Sequence, residues 1–137
     1  MKTKTTTITQ KATIPALPEE IYEAFLDPRI HSEFTGSKAT GKAEVGEKFT
    51  AWDGYIFGRN LELEKGKRIV QEWMTTEWPE NYPPSKLELS FKEANGNTEL
   101  IMVHSGVPAN QKKELEQGWT NYYWKPLTNY FEKRRRR

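Results

Sequence analysis

The middle of the chain, residues 40–105, consists of short β-branched or alternating segments separated by turn sequences. Asp53-Gly54 is a strong signal for a two-residue hairpin, and Lys65-Gly66 and Asn95-Gly96 mark two further turns. Between them, the segment KLELSF alternates leucine and phenylalanine with polar residues, which is the period of a half-buried strand. The pattern therefore predicts consecutive antiparallel strands.

The segment before this region predicts one strand followed by two short helices. TTTITQKATI is rich in β-branched residues, as expected of a first strand. In LPEEIYEAFLDP the period changes, and Ile21, Ala24 and Phe25 share one face of a helix that begins at Pro18. RIHSEFTG predicts one more helical turn, closed by glycine.

The closing segment, residues 116–131, is rich in aromatic side chains and returns to a helical period. One arc of that helix contains Leu115, Trp119, Tyr122, Tyr123, Pro126, Leu127 and Tyr130. Such an arc is typical of a long helix packed on a sheet, and it favours core packing over a cofactor site. Gly118 weakens the helix, and Pro126 removes the donor for the Tyr122 carbonyl, so a bend is expected. Trp124 lies outside the predicted arc.

Composition limits the class of protein. The 137 residues predict a single domain over residues 1–133, and the absence of cysteine excludes disulfides and cysteine-bound zinc. No apolar run is long enough to span a bilayer, and the start lacks the features of a signal peptide, so a cytoplasmic location is expected. The net charge of +2 depends on residues 134–137, a basic tail expected to be disordered. Without a basic stripe, neither nucleic acid nor a membrane is an expected partner.

The order of several segments matches one known family. These are LPEEIYEAFLDP, FTGSKATGKAEVGEKFTAWDGYIFG, KRIVQEW with the following EWPE, HSGVP and QGWTNYYWKPL. Together they resemble the C-terminal type of domain of the activators of the ninety-kilodalton heat-shock chaperone (Hsp90) ATPase, in the START-like (SRPBCC) superfamily. The resemblance covers the chain from about Thr7 to Phe131.

The resemblance implies an α+β helix-grip fold. In that fold a curved antiparallel sheet, here of about six to seven strands, wraps round a long C-terminal helix, and a cavity lies between them. Two-domain members of the family carry a separate N-terminal domain that does much of the work on the chaperone. Other START-like branches bind lipids or aromatic compounds, and some are cyclases or hydrolases.

The sequence offers little for catalysis. There is no cysteine nucleophile and no G-x-S-x-G motif, and the only imidazole bases are His31 and His104. By strand parity His104 points towards the closing helix, where a lone histidine is more often a wall residue than a catalyst. His31, in a charged helical turn, is expected to be exposed. The two histidines lack ligand partners at helical spacing, so we predict no catalytic residue, no metal site and no cofactor.

Two kinds of binding site remain as predictions. Candidates for a cavity that takes a small apolar ligand are Gln71, Trp73, Met102, His104, Trp119 and Tyr123. Candidates for a partner surface are Trp78, Tyr82 and Trp124, the first two in the proline-rich segment TTEWPENYPPS. The alternatives are a filled core in which Gln71 bonds the backbone, and a Trp78 that caps one end of the sheet.

We therefore expect a non-enzymatic binding domain. The first functional hypothesis, from the resemblance, is an accessory role to an Hsp90-type chaperone or in stress response. The alternative is binding or sensing of a small hydrophobic or aromatic ligand in the cavity. A cyclase- or hydrolase-like enzyme is the third.

Overall fold

The computed structural model of the protein describes residues 4–135. Six strands form one antiparallel sheet, and its strands and helices follow the predicted order. The strands are β1 (Thr5–Ile14), β2 (Lys48–Ala51), β3 (Ile56–Glu64), β4 (Arg68–Thr75), β5 (Ser85–Ala94) and β6 (Asn97–Pro108). The helices are α1 (Pro18–Leu26), α2 (Pro28–Thr35), α3 (Lys112–Trp119) and α4 (Lys125–Arg135). A 3-10 turn (Ala109–Gln111) precedes α3, and a π-helical turn (Thr120–Trp124), here called the π segment, joins α3 to α4.

The strand order in the sheet is β1-β6-β5-β4-β3-β2. Strands β2 to β6 therefore pair with their neighbours in sequence, and β1 pairs antiparallel with β6. Asn95 and Gly96 both take positive φ, at 54° and 82°, which is the conformation of the tightest hairpins. The predicted antiparallel sheet is confirmed.

Local signals explain why α1 and α2 form where predicted. Pro18 occupies the first position of α1, and the Glu20 carboxylate accepts a hydrogen bond from the Leu17 N–H at 2.9 Å. The Asp27 carboxylate caps α2 by accepting from the Arg29 N–H, also at 2.9 Å. At the other end of α2, Gly36 takes φ 79°, a left-handed conformation that ends the helix.

The core lies between the concave face of the sheet and the segment from α3 to α4. Strands β4, β5 and β6 contribute Ile69, Trp73, Leu87, Leu89, Leu100 and Met102. The closing helices contribute Trp119, Tyr123, Trp124, Leu127 and Phe131. Four of the six aromatic residues of the closing segment are thus core, and of these the period predicted Trp119 and Tyr123.

The π segment changes which rings face the core. A π turn adds one residue to a helical turn, so the side chains after it rotate relative to a continuous α-helix. As a result Tyr122, predicted on the buried arc, is 57% exposed, and Trp124, predicted outside it, is only 7% exposed. Both predictions were wrong for this reason. The Lys125 N–H bonds the Thr120 carbonyl across the π turn, immediately before Pro126, which has no N–H to donate.

The helix α4 continues to Arg135, past the predicted domain end at residue 133. The Arg134 guanidinium donates to the Tyr130 hydroxyl, and Arg135 donates to the Asn97 side-chain oxygen at 2.7 Å. The disordered tail was predicted for residues 134–137; Arg134 and Arg135 belong to α4, and Arg136 and Arg137 lie outside the described residues.

Candidate functional site

A cavity of about 660 Å³ lies between α3, the π segment and the hairpin that joins β2 to β3. It is open to solvent on one side. The residues that line it are Trp52, Tyr55, Ile56, Trp73, Glu77, Asn110, Gln111, Glu114, Leu115, Gly118, Trp119, Tyr122 and Tyr123. Six of these thirteen residues are aromatic, and polar side chains lie among them.

Three of the six predicted cavity residues line this space: Trp73, Trp119 and Tyr123. The other three, Gln71, Met102 and His104, are buried elsewhere in the core. Gln71 does not bond the backbone; its side-chain N–H donates to the Asn60 side-chain oxygen at 2.8 Å. Asn60 in turn donates to the carbonyls of Lys42 and Glu44. This amide pair fastens the chain before β2 to the sheet, away from the cavity.

His104 forms a hydrogen-bonded chain behind the cavity wall. The Trp119 indole N–H donates to His104 Nδ1 at 3.1 Å, so the proton of the neutral imidazole must be on Nε2. Nε2 then donates to Ser85 Oγ at 2.8 Å, and the Ser85 hydroxyl donates to the Trp73 carbonyl. Burial lowers the His104 pKa from 6.5 to about 3. His104 is thus a neutral residue behind the wall, and its hydrogen bond orients Trp119.

His31 is buried, contrary to the prediction that it would be exposed. It packs under α1, and its Nδ1 donates to the Phe25 carbonyl at 3.1 Å. That bond leaves Nε2 as an acceptor for the Tyr123 hydroxyl at 2.9 Å. Burial lowers the His31 pKa to about 4, against the opposing effect of the Phe25 bond. The tertiary contact with the π segment, invisible in the local sequence, explains the difference.

The open side of the cavity is polar. The Tyr55 hydroxyl donates to the Glu77 carboxylate at 2.5 Å, and Gln111 donates to the Glu77 carbonyl at 3.1 Å, which ties the start of α3 to the segment after β4. Glu114 faces the same space from α3. Burial raises the Tyr55 pKa, as do the bond to Glu77 and the negative charges of Glu77 and Glu114.

The sequence reasoning missed Trp52, Tyr55, Glu77 and Glu114. Trp52 and Tyr55 flank the Asp53-Gly54 turn, and Trp52 itself takes φ 52°. A non-glycine residue in the left-handed region is uncommon. Such backbone strain persists only where the surrounding structure holds the residue in that conformation. The aromatic residues on both sides of that turn were the available signal. Glu77 and Glu114 carried none, because only the tertiary fold brings them together.

The indole N–H of Trp52 is buried and has no hydrogen-bond partner among the described residues. This N–H lies near Tyr123, whose pKa is raised by burial, and the N–H acts to lower that pKa. The two groups are nevertheless not placed to form a hydrogen bond. An unsatisfied buried donor costs about 1–3 kcal/mol. The cavity wall therefore contains a donor without an acceptor.

A family model described as "Activator of Hsp90 ATPase homolog 1-like protein" matches residues 15–132. The chain belongs to this family. "Activator of 90 kDa heat shock protein ATPase homolog 1" of Homo sapiens is 36% identical over 131 residues, or 96% of this chain and 38% of the relative. The Mus musculus protein of the same name is 34% identical, with the same coverage. The chain spans well under half the length of these relatives.

A solved structure of an HSP90 activator from Plasmodium falciparum has the same fold. Its TM-score is 0.77 at 26% sequence identity, and the match covers 85% of this chain and 89% of that chain. This confirms the helix-grip architecture of the Hsp90-activator family member described here.

The partner-surface candidates of this Hsp90-activator homologue do not form one surface. Trp124 is buried: it stacks on Trp119 at 5.4 Å between ring centres and donates to the Gln10 side-chain oxygen at 2.8 Å. Trp78 is half-buried; its ring meets Trp73 edge-on, and its N–H donates to the Pro83 carbonyl. Tyr82 is half-buried and accepts from the Lys4 N–H. Only the loop after β4 therefore offers aromatic surface among these candidates.

Two further features are absent from residues 4–135. No group of three His, Cys, Asp or Glu side chains there is placed to hold a metal ion. No helix in this part of the chain has the length and apolar content that crossing a membrane requires.

Proposed function

We propose that this domain is a non-catalytic binding module that acts on an Hsp90-type chaperone in the cytoplasm. The observation that carries the proposal is the family match over residues 15–132, together with 36% identity to the human activator over 96% of the chain. The family name describes a protein that stimulates another protein's ATPase, a role that requires binding and no active site of its own.

The hydrogen-bond directions around His104 support a non-catalytic role. In a nucleophilic pair the histidine accepts the serine proton. Here His104 Nε2 donates to Ser85 Oγ, and the Ser85 hydroxyl donates its own hydrogen bond to the Trp73 carbonyl, away from the histidine. Both side chains are almost completely buried, at 0% and 1% exposure. The pair resembles a catalytic dyad in distance only.

The loop after β4 is the part of the surface that we assign to the chaperone. Trp78 and Tyr82 leave part of their rings exposed there, and partly exposed aromatic residues are enriched at contact centres. Trp78→Ser and Tyr82→Ser should each lower chaperone affinity; truncation of a central aromatic commonly costs about 2 kcal/mol, or roughly thirtyfold. Phe57→Ser, at a 36% exposed ring on β3, is the control.

Binding should be measured by calorimetry with a purified Hsp90-type chaperone, beside the chaperone's ATPase rate. If wild-type protein neither binds nor changes the ATPase rate, the chaperone function is wrong. If it binds and both loop variants bind equally well, the assigned surface is wrong. Thermal melting of each variant separates lost binding from lost folding.

A second function, binding of a small ligand, is favoured by the cavity. Its volume of about 660 Å³ is within the usual range for small-molecule sites, about 300–1,000 Å³, and such sites have mainly apolar walls with few polar groups. Gly118 offers a direct test, because it lines the cavity and a Cβ atom added there meets only the Tyr122 side chain, at 3.8 Å. Gly118→Leu should narrow the cavity and weaken binding of a neutral aromatic probe, 2-naphthalenemethanol, while the domain stays folded. Unchanged affinity would show that the probe binds elsewhere.

A further inference from the structure

The charge at the open side of the cavity has one sign. Glu77 and Glu114 are the only lining residues of a charged type, although the chain as a whole has a formal net charge of +2. Neither carboxylate forms an ion pair within residues 4–135. The ammonium group of Lys112, near the start of α3, is paired with Glu116 at 2.9 Å. The opening therefore has a negative charge that the described residues do not neutralise.

Aromatic faces surround the same opening. Tyr55 and Tyr122 are 40% and 57% exposed, and the Tyr122 ring meets Trp52 edge-on at 5.4 Å between centres. The face of an aromatic ring attracts cations, and a combination of rings with carboxylates is typical of sites for organic cations. This arrangement disfavours an anionic ligand.

The deeper part of the cavity is suited to a flat apolar body. Trp73 and Trp119 line it with ring centres 5.6 Å apart.

We propose that the cavity binds a small arylalkyl amine in its protonated form, that is, an aromatic ring with an ammonium group on an aliphatic carbon. The aromatic body lies against Trp73 and Trp119, and the ammonium group lies at the opening, between Glu77 and Glu114. The proposal rests on the ligand-binding function above and names the chemical class of the ligand.

Three probes with one body and different head groups test the proposal. They are 2-(aminomethyl)naphthalene, 2-naphthalenemethanol and 2-naphthoate, titrated by calorimetry at low salt and neutral pH. An exposed ion pair contributes up to about 1 kcal/mol, or roughly fivefold in affinity. With two carboxylates at the opening, the amine should bind roughly five- to tenfold more tightly than the alcohol, and the naphthoate should bind most weakly. The advantage of the amine over the alcohol should fall at about 1 M salt, where the screening length is near 3 Å.

Matched variants locate the effect. Glu77→Gln combined with Glu114→Gln should abolish the advantage of the amine and leave the affinity for the alcohol unchanged, because glutamine keeps an acceptor for Tyr55. Glu93→Gln combined with Glu132→Gln changes the net charge equally, at exposed positions outside the cavity lining. This control should keep the advantage.

The outcomes separate the inference from the function on which it rests. If none of the three probes binds, both the ligand-binding function and the inference are overturned. If the probes bind with equal affinity, or if the two double variants lose the advantage equally, the cavity binds ligands but the assignment of a cation is overturned.

Discussion

Acidification should destabilise the folded domain through two buried histidines. The pKa of His31 is lowered to about 4 and that of His104 to about 3, against an ordinary value of 6.5 that each regains on unfolding. The folded state therefore binds fewer protons than the unfolded state below pH 6.5. The contribution of the two neutral histidines to the free energy of unfolding is fully present above pH 6.5. It is lost as the pH falls towards their folded pKa values.

The magnitude follows from the linkage relation. Each pKa unit corresponds to about 1.36 kcal/mol, so lowering the pH to about 5 costs roughly 2 kcal/mol for each histidine and about 4 kcal/mol for both. Most carboxylates keep their charge above that pH, so the window isolates the imidazoles. A small domain has a stability of about 5–15 kcal/mol, so the loss should be easily measured.

Urea unfolding followed by tryptophan fluorescence, at several pH values between about 7.5 and 5, measures this free energy. His31→Gln should reduce the pH-dependent loss to about 2 kcal/mol, whatever its effect on absolute stability. If the variant does not fold, the chemical shifts of the imidazole protons can be followed by NMR in the wild-type protein instead. Neither ring should titrate in the folded protein between about pH 7.5 and 5. A stability that does not change with pH, or an imidazole that titrates near its ordinary value, would refute the reasoning.

Three further predictions concern stability, each measured by urea unfolding. Trp124→Ala should cost about 3–5 kcal/mol, whereas Tyr122→Ala at the exposed neighbour should cost less than ~1 kcal/mol; the reverse order would contradict the π segment. Gly118→Ala should stabilise α3 by about 0.5–1 kcal/mol, because its new methyl group meets only an ordinary contact. Gly58→Ala should cost about 3 kcal/mol or prevent folding, because its Cβ would lie 1.8 Å from the Glu72 carbonyl oxygen; near-neutral behaviour would show that β3 and β4 can separate there.

The irregularity in the closing helix was only partly predictable. Pro126 predicted a bend near Tyr122, since proline leaves that carbonyl without its α-helical donor. A kink, a break and a π turn all satisfy this condition. Packing selected the π turn, which turns both Tyr123 and Trp124 inward to fill the space above the sheet. A helical period read from the sequence assumes a constant number of residues per turn. It therefore predicted a buried Tyr122 and an exposed Trp124, the reverse of what the structure shows.

The cavity shows a similar division. Strand parity and helical period correctly brought Trp73, Trp119 and Tyr123 to one side of the core. Strand parity does not show how deeply a side chain is buried. Met102 and His104 lie on the same side of the sheet as Trp73, but they are buried beneath the cavity wall. The opening is formed by Tyr55, Glu77 and Glu114, which come from a hairpin, a loop and a helix far apart in the sequence.

The sequence by itself determined the antiparallel sheet, the two short helices and the aromatic closing helix. Each depends on turns, caps and periodicity within about ten neighbouring residues, where local sterics and burial decide. The tertiary structure alone decided that His31 is buried, that Trp124 belongs to the core and that the cavity opens towards two carboxylates with no ion-pair partner in residues 4–135. These features depend on which side chains meet across the fold, because burial and charge neutralisation are properties of the whole packed chain.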